Sequence, residues 1–254
     1  MIHFRDLCRR ILRRLFPSCL QRLRRLHWEA NWRRDNFAPD WSDRGVSPEI
    51  VEALETGWLP AHGTVLDIGC GLGEVAAWFS ERAYATVAID IAESAVRKGR
   101  TMHMHLPSPP EYLALDICAG QPPNRQYNIL IDRGCLHQIP REEIPNYVRN
   151  ITNVAAPDAR LLLFVKAFRD GQPFGDPAER QRQTAWVSKT FAGVFTVERV
   201  SETYLDRYQG RDPQNALPGL VFWLTRTRCV TAAEAVSHST REDRQAEEDE
   251  GCLK

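Results

Sequence analysis

Apolar residues at Phe4, Leu7, Cys8, Ile11, Leu12, Leu15 and Phe16 recur at the i, i+3, i+4 spacing of one helical face, with arginines between them. Residues 4–16 therefore predict a strongly amphipathic helix, stopped near Pro17. From residue 63 onward, short apolar runs that no surface loop would carry alternate with stretches of helical period. The runs predict strands over 64–68, 86–91, 112–116, 127–132, 160–165, 195–200 and 220–225. Helices are predicted near 74–82, 92–103, 142–154 and 179–191. Such alternation requires an α/β fold, a mostly parallel sheet with helices on both faces. Beyond Cys229 the chain is small, polar and acidic, the composition of a disordered tail.

At 254 residues the chain can bury a full core. The pattern divides it into a basic helix over 1–27, one domain over 28–228 and an acidic tail over 229–254. The formal net charge of zero conceals an uneven distribution. Eight arginines against Asp6 alone give residues 1–27 a net charge of +7, and residues 231–254 carry −4. The body is left at about −3, which argues against a broad nucleic-acid-binding face. Seven scattered cysteines show neither C-x-x-C spacing nor a disulfide framework, as expected of a reducing, cytoplasmic compartment. No apolar run is long enough to span a membrane, and arginines break up the start too often for a secretory signal. Three roles for residues 1–26 stay open: docking on the body or a neighbouring protein, contact with an anionic membrane surface, and organelle targeting.

The chemistry concentrates where the first strand meets its helix. Val65-Leu66-Asp67-Ile68-Gly69-Cys70-Gly71-Leu72-Gly73-Glu74 reads as a buried strand running into a glycine turn, and Asp90 closes the next apolar run. A carboxylate about 20 residues beyond such a turn is placed to accept from a ribose diol. The glycines run G-x-G-x-G rather than G-x-G-x-x-G, and Asp67 sits just ahead of them. A carboxylate there repels phosphate and suits an ammonium or sulfonium, which points to S-adenosylmethionine rather than a dinucleotide. Aspartates are expected at four strand ends: Asp67, Asp90, Asp116 and Asp132. In an open α/β sheet, ligands lie outside the carboxyl ends of the strands, so these acids predict a polar ligand rim.

The pattern D-I-G-C-G-x-G-E followed by A-I-D-I resembles the cofactor site of class I S-adenosylmethionine-dependent methyltransferases. The resemblance narrows at Asp132-Arg133-Gly134-Cys135-Leu136 and at Trp28-x-x-x-Trp32. With Pro39, Trp41, Gly45, Pro48 and Glu49, these are similar to the branch of thiopurine S-methyltransferases and thiol and halide methyltransferases. It covers about residues 28–228 and implies a Rossmann-like seven-stranded sheet whose last two strands are consecutive. By resemblance, the cofactor site comprises Trp28, Trp32, Trp41, Asp67, Ile68, Gly69, Gly71, Gly73, Asp90, Ile91, Asp116, Ile117, Asp132 and Arg133. Asp90 would take the ribose hydroxyls, Asp116 and Ile117 the adenine edge, and Asp67 the ammonium of the methionine part. Arg133, a planar fork of donors, matches that part's carboxylate, and the tryptophan faces suit a sulfonium.

Methyl transfer from a sulfonium needs in-line approach and exclusion of water more than acid or base power. His137 is the candidate base and Asp170 lies in the loop expected to face the acceptor. Cys135 is read as a packing residue because the methyl passes directly to the acceptor in this family. The expected acceptor is a small molecule, most simply a thiol or other soft anion; the alternatives are an oxygen or nitrogen of a specialised metabolite, or a membrane- or protein-docked module of this fold acting on a macromolecule. Acceptor specificity is expected in 28–48, 167–180 and 201–218. No N-P-P-Y tetrapeptide follows the fourth strand, which argues against methylation of nucleic-acid bases, and His103-x-His105 lacks a third ligand for a metal.

Overall fold

A computed structural model describes residues 17–37, 39, 45–123, 125–167, 176–205 and 217–227. The predicted amphipathic helix over 4–16, the acidic tail, Trp41 and Asp170 all lie outside the described residues. Seven strands form one sheet: β1 (Thr64–Ile68), β2 (Ala85–Asp90), β3 (Glu111–Ala114), β4 (Tyr127–Arg133), β5 (Ala155–Lys166), β6 (Phe195–Tyr204) and β7 (Pro218–Arg226), in the order β3-β2-β1-β4-β5-β7-β6. β1 to β5 pair in parallel, whereas β7 runs antiparallel to both β5 and β6. The last two strands are consecutive in the chain, so β7 returns between β5 and β6.

The helices are α1 (Pro17–Arg33), α2 (Pro48–Glu55), α3 (Glu74–Ser80), α4 (Glu93–His103), α5 (Ile144–Val154) and α6 (Pro177–Thr190). The central strands are apolar on both sides because helices cover both faces. One face packs Leu66, Ile68, Leu130, Leu161 and Leu163 against α5 residues Tyr147, Ile151 and Val154. The other packs Val65, Ile129, Ile131, Leu162 and Phe164 against α2 and α3 residues Ile50, Ala53, Val75 and Phe79.

Two helices depart from the sequence expectation. Pro17, read as a stop, stands in the first turn of α1, where a missing N–H costs nothing and the fixed φ suits a helix. α1 therefore crosses the expected boundary at 27/28. α2 was not anticipated, although Ser47-Pro48-Glu49 followed by Ile50, Val51, Ala53 and Leu54 carries the signal: proline at N1, an acid in the first turn and apolar residues at helical spacing. None of the described helices is long and apolar enough to cross a membrane.

Candidate cofactor cleft and active site

Strand order reverses between β1 and β4, so the helices connecting them diverge and leave a cleft outside their carboxyl ends. The glycine turn forms its floor. Backbone N–H groups of Gly69 and Cys70 both donate to the Ile89 carbonyl, at 2.8 and 2.9 Å, tying the turn to the end of β2. Gly71 and Gly73 hold left-handed φ values of 56° and 81°. A Cβ on Gly73 would stand 2.3 Å from Tyr112 Oη and one on Gly71 3.1 Å from the Trp32 ring, so tertiary neighbours as well as the turn exclude a side chain. Tyr112 Oη donates to the Leu72 carbonyl at 3.2 Å and lies 2.6 Å from His103 Nδ1.

Each expected acid holds backbone of its own edge. Asp67 lies within β1 and its Oδ2 accepts from Ala76 N in the first turn of α3. Burial and the neighbouring Glu74 push its carboxyl up to about 7, against the opposing pull of Ala76 N and of Arg133. Asp90, the last residue of β2, accepts from Gly71 N at 3.0 Å and Ala92 N at 2.8 Å, and burial raises its pKa to about 6. Both line the cleft. Asp116 lies two residues beyond the end of β3, not on the strand; it lines the cleft and accepts from Cys118 N at 2.9 Å.

Asp132 is a correction. It was expected on the ligand rim, but its side chain turns inward, fully buried, and accepts from Gly134 N, Cys135 N, Leu136 N and Tyr147 Oη. Burial raises it to about 6 against those four donors. Its role in the structure is to hold the turn that presents Arg133 and Gly134. Ile68 and Gly73, also expected at the ligand, stand behind the wall; Gly69, Gly71, Ile91, Ile117, Arg133, Trp28 and Trp32 are on it. Arg133 Nη2 donates to the Leu205 carbonyl at 3.3 Å.

His137 lines the cleft in the turn after β4, with Nδ1 accepting from Lys166 N at 3.3 Å. Burial and the nearby Lys166 cation lower its pKa to about 4, so the imidazole is neutral at pH 7. Burial likewise pushes the Cys70 and Cys135 thiols well above their ordinary range, so neither cleft cysteine is a thiolate.

The wall also contains residues that the motifs did not single out. Val75, Leu115, Gln138, Ile139, Leu205 and Leu217 line it, and so does Arg24. Arg24 Nη2 donates to Asp116 Oδ1 and Oδ2 at 2.7 and 2.6 Å, and Nη1 donates to Glu143 Oε2 at 2.5 Å. Burial opposes its charge, but Asp116 and Glu143 outweigh that cost and the pKa is raised. Contacts spanning 92 and 119 residues leave no trace in local sequence pattern.

Residues 23–220 match the family model of thiopurine S-methyltransferase. The chain belongs to the thiopurine S-methyltransferase family. It has the class I methyltransferase fold, whose cofactor is S-adenosylmethionine. Among relatives, it is 32% identical over 129 residues to the 2-heptyl-1-hydroxyquinolin-4(1H)-one methyltransferase of Mycobacteroides abscessus, a match covering 50% of this chain and 56% of that protein. An uncharacterised methyltransferase of Mycobacterium bovis is 32% identical over 75 residues, 30% of this chain and 37% of the relative. The chain thus spans about half or less of the length of these relatives.

Two solved structures share the fold. One, from work on the conversion of a disulfide bond into a thioacetal group during echinomycin biosynthesis, superposes with a TM-score of 0.63 at 18% identity, covering 85% of this chain and 97% of that one. The other, the Burkholderia thailandensis 1,6-didemethyltoxoflavin-N1-methyltransferase, gives 0.56 at 20% identity, with 74% and 80% covered. The cleft fits the cofactor in kind: carboxylates for hydroxyls and an ammonium, a guanidinium for a carboxylate, and apolar Ile91, Leu115 and Ile117 for a flat base.

Proposed function

We propose that this protein transfers the methyl group of S-adenosylmethionine to a small molecule whose nucleophilic atom ionises by itself, a thiol before other soft anions. The observation that carries this reading is the weakness of the cleft's bases. Asp67 and Asp90, raised to about 7 and about 6, are given to the cofactor in this reading; of the other cleft groups, His137 is lowered to about 4 and the thiols stay protonated, so neither serves as a strong base toward a reluctant acceptor. A thiol, with an ordinary pKa of about 8.5, supplies its own thiolate. Asp90 binds the ribose diol, Asp116 and Ile117 meet the adenine, Asp67 takes the ammonium and Arg133 the carboxylate. Trp28 and Trp32 shield the sulfonium from water, which leaves approach geometry as the main source of acceleration. The cofactor supplies the activated methyl group. This reading also assigns Trp41 to the cofactor and Asp170 to the acceptor, as the sequence leads one to expect.

A hydroxylated heteroaromatic is the second reading. It is favoured by the name of the M. abscessus relative and by apolar Val75, Ile139, Leu205 and Leu217 on the wall. Methyl-labelled cofactor, tested against arenethiols, a thiopurine, iodide and a hydroxyquinolone, separates the two. Highest kcat/KM on thiols, with a pH–rate midpoint that follows the acceptor's own pKa across a series, is the expected outcome. Exclusive labelling of the hydroxyquinolone oxygen would favour the second reading, and cofactor binding without transfer to any of them would overturn both.

A further inference from the structure

α1 is built as a wall with two different fastenings. Arg24, Trp28 and Trp32 stand at i, i+4 and i+8, one stripe of the helix, and all three line the cleft. Leu23 and Leu26 point away, 56% and 54% exposed. The second half of the helix is packed: Trp32 is 4% exposed against Ala92, which caps α4, and Ala95 within it, and Glu29 accepts from Ser94 N at 3.1 Å. The first half is fastened by charge. The Arg24 side chain, 13% exposed, bridges Asp116 on the cleft wall and Glu143 at the start of α5. Glu143 is 8% exposed in its side chain and does not line the cleft.

The two fastenings differ in the cost of undoing them. Opening apolar packing exposes area to water with no compensation. A buried ion pair has already given up most of its Coulomb gain to desolvation, so its three charges rehydrate on release and the net cost of opening is small. A helix that must admit a cofactor and release a product every turnover is better held at its moving end by the second kind.

We propose that Arg24 is a positioning residue for the cofactor: by pairing with Asp116 and Glu143 it latches the first half of α1 across the adenine end of the cleft. The proposal rests on the reading of this cleft as the S-adenosylmethionine site. It follows that residue 24 belongs functionally with the domain, and that a chain starting after residue 26 would lack the latch.

The test is the dissociation constant and dissociation rate of S-adenosylhomocysteine, with melting temperatures alongside, for the full chain and for Arg24→Ala, Arg24→Lys and Glu143→Gln. Arg24→Ala is expected to weaken binding about tenfold or more, through faster dissociation, since it strands two buried carboxylates. Arg24→Lys keeps the charge but loses the planar fork, and Glu143→Gln loses one of two partners; about threefold faster dissociation is expected for each, with melting within a few degrees of the parent. If Arg24→Ala does not fold, these two decide. Parental dissociation rates in both, or a fall in melting temperature with unchanged rates, would overturn the latch while leaving the cleft assignment intact. Failure of the parent chain to bind S-adenosylhomocysteine would overturn the cleft assignment itself, and the latch with it.

Discussion

The proposed ribose end of the cleft, at Asp90, and the proposed adenine end, at Asp116, are built by opposite means. At the ribose end, Asp90 and the glycine turn hold each other through bonds within a continuous stretch from Asp67 to Ala92. At the adenine end, Asp116 takes its orientation from Cys118 nearby and from Arg24, 92 residues away. Only the first end is a motif. The second is a tertiary contact between residue types that any sequence contains, and in the proposed reading it positions the same ligand. A cofactor site can thus be half legible, with the illegible half equally structural.

That contrast is sharpest at Gly73, a motif residue confined by a tertiary neighbour. Gly73→Ala must hold φ at 81° and displace Tyr112 Oη. A loss of about 2–4 kcal/mol is expected in denaturant unfolding. Gly57→Ala, at a φ of 72° with open space around it, should lose only about 1 kcal/mol. Equal losses at the two sites would show that the turn's own geometry, and not Tyr112, excludes the side chain.

Next in size is Asp90→Ala, which removes the carboxylate that holds Gly71 N and Ala92 N. It should weaken cofactor affinity by about 1–3 kcal/mol in a calorimetric titration. An unchanged affinity would move the ribose contact elsewhere and leave the adenine end as the anchor.

The smallest effect is on pH. Asp67 near 7, and Asp90 and Asp132 near 6, lie above the ordinary aspartate value of 3.8, so the native state binds more protons than the unfolded chain. The stability linked to these groups is complete below about pH 4 and is lost as pH rises through 6 and 7. His137, lowered to about 4, acts in the opposite sense between pH 4 and 6.5. The clean window is therefore pH 6.5–8, where the melting temperature of the ligand-free protein should fall as pH rises and Asp67→Asn should flatten the slope. A slope unchanged by Asp67→Asn would place the titration elsewhere.

The positions of β1, β2 and β4 follow closely from apolar runs, because strands buried on both faces have few polar positions to blur them. β5 and β6 run longer than the sequence predicts. The added end of β6 pairs with β7, as in Tyr204 with Pro218, whereas the added start of β5 pairs Ala155 with Tyr127 of β4, and pairing partners cannot be read from either strand alone. Pro17 opens α1, a helix the apolar pattern did not announce, because proline is tolerated in a first turn; the helix over 4–16 that it was expected to stop lies outside the described residues. Asp132 has the same residue type and strand position as an acid on the ligand rim. Its inward turn depends on Tyr147, 15 residues on, and on the turn at Gly134.

By itself the sequence determined the alternating α/β layout, the glycine turn with Asp67 and Asp90, and hence a cofactor carrying a diol and a cation. The turn and its two acids are encoded within about 30 consecutive residues, and each strand or helix within its own short run, where spacing and side-chain chemistry act locally. The tertiary structure alone decided which acids face the cleft, that α1 forms one of its walls, and that Arg24 joins Asp116 to Glu143. Those outcomes depend on which distant surfaces meet when the core closes, and a charged pair forms only where burial brings its partners within about 3 Å of each other.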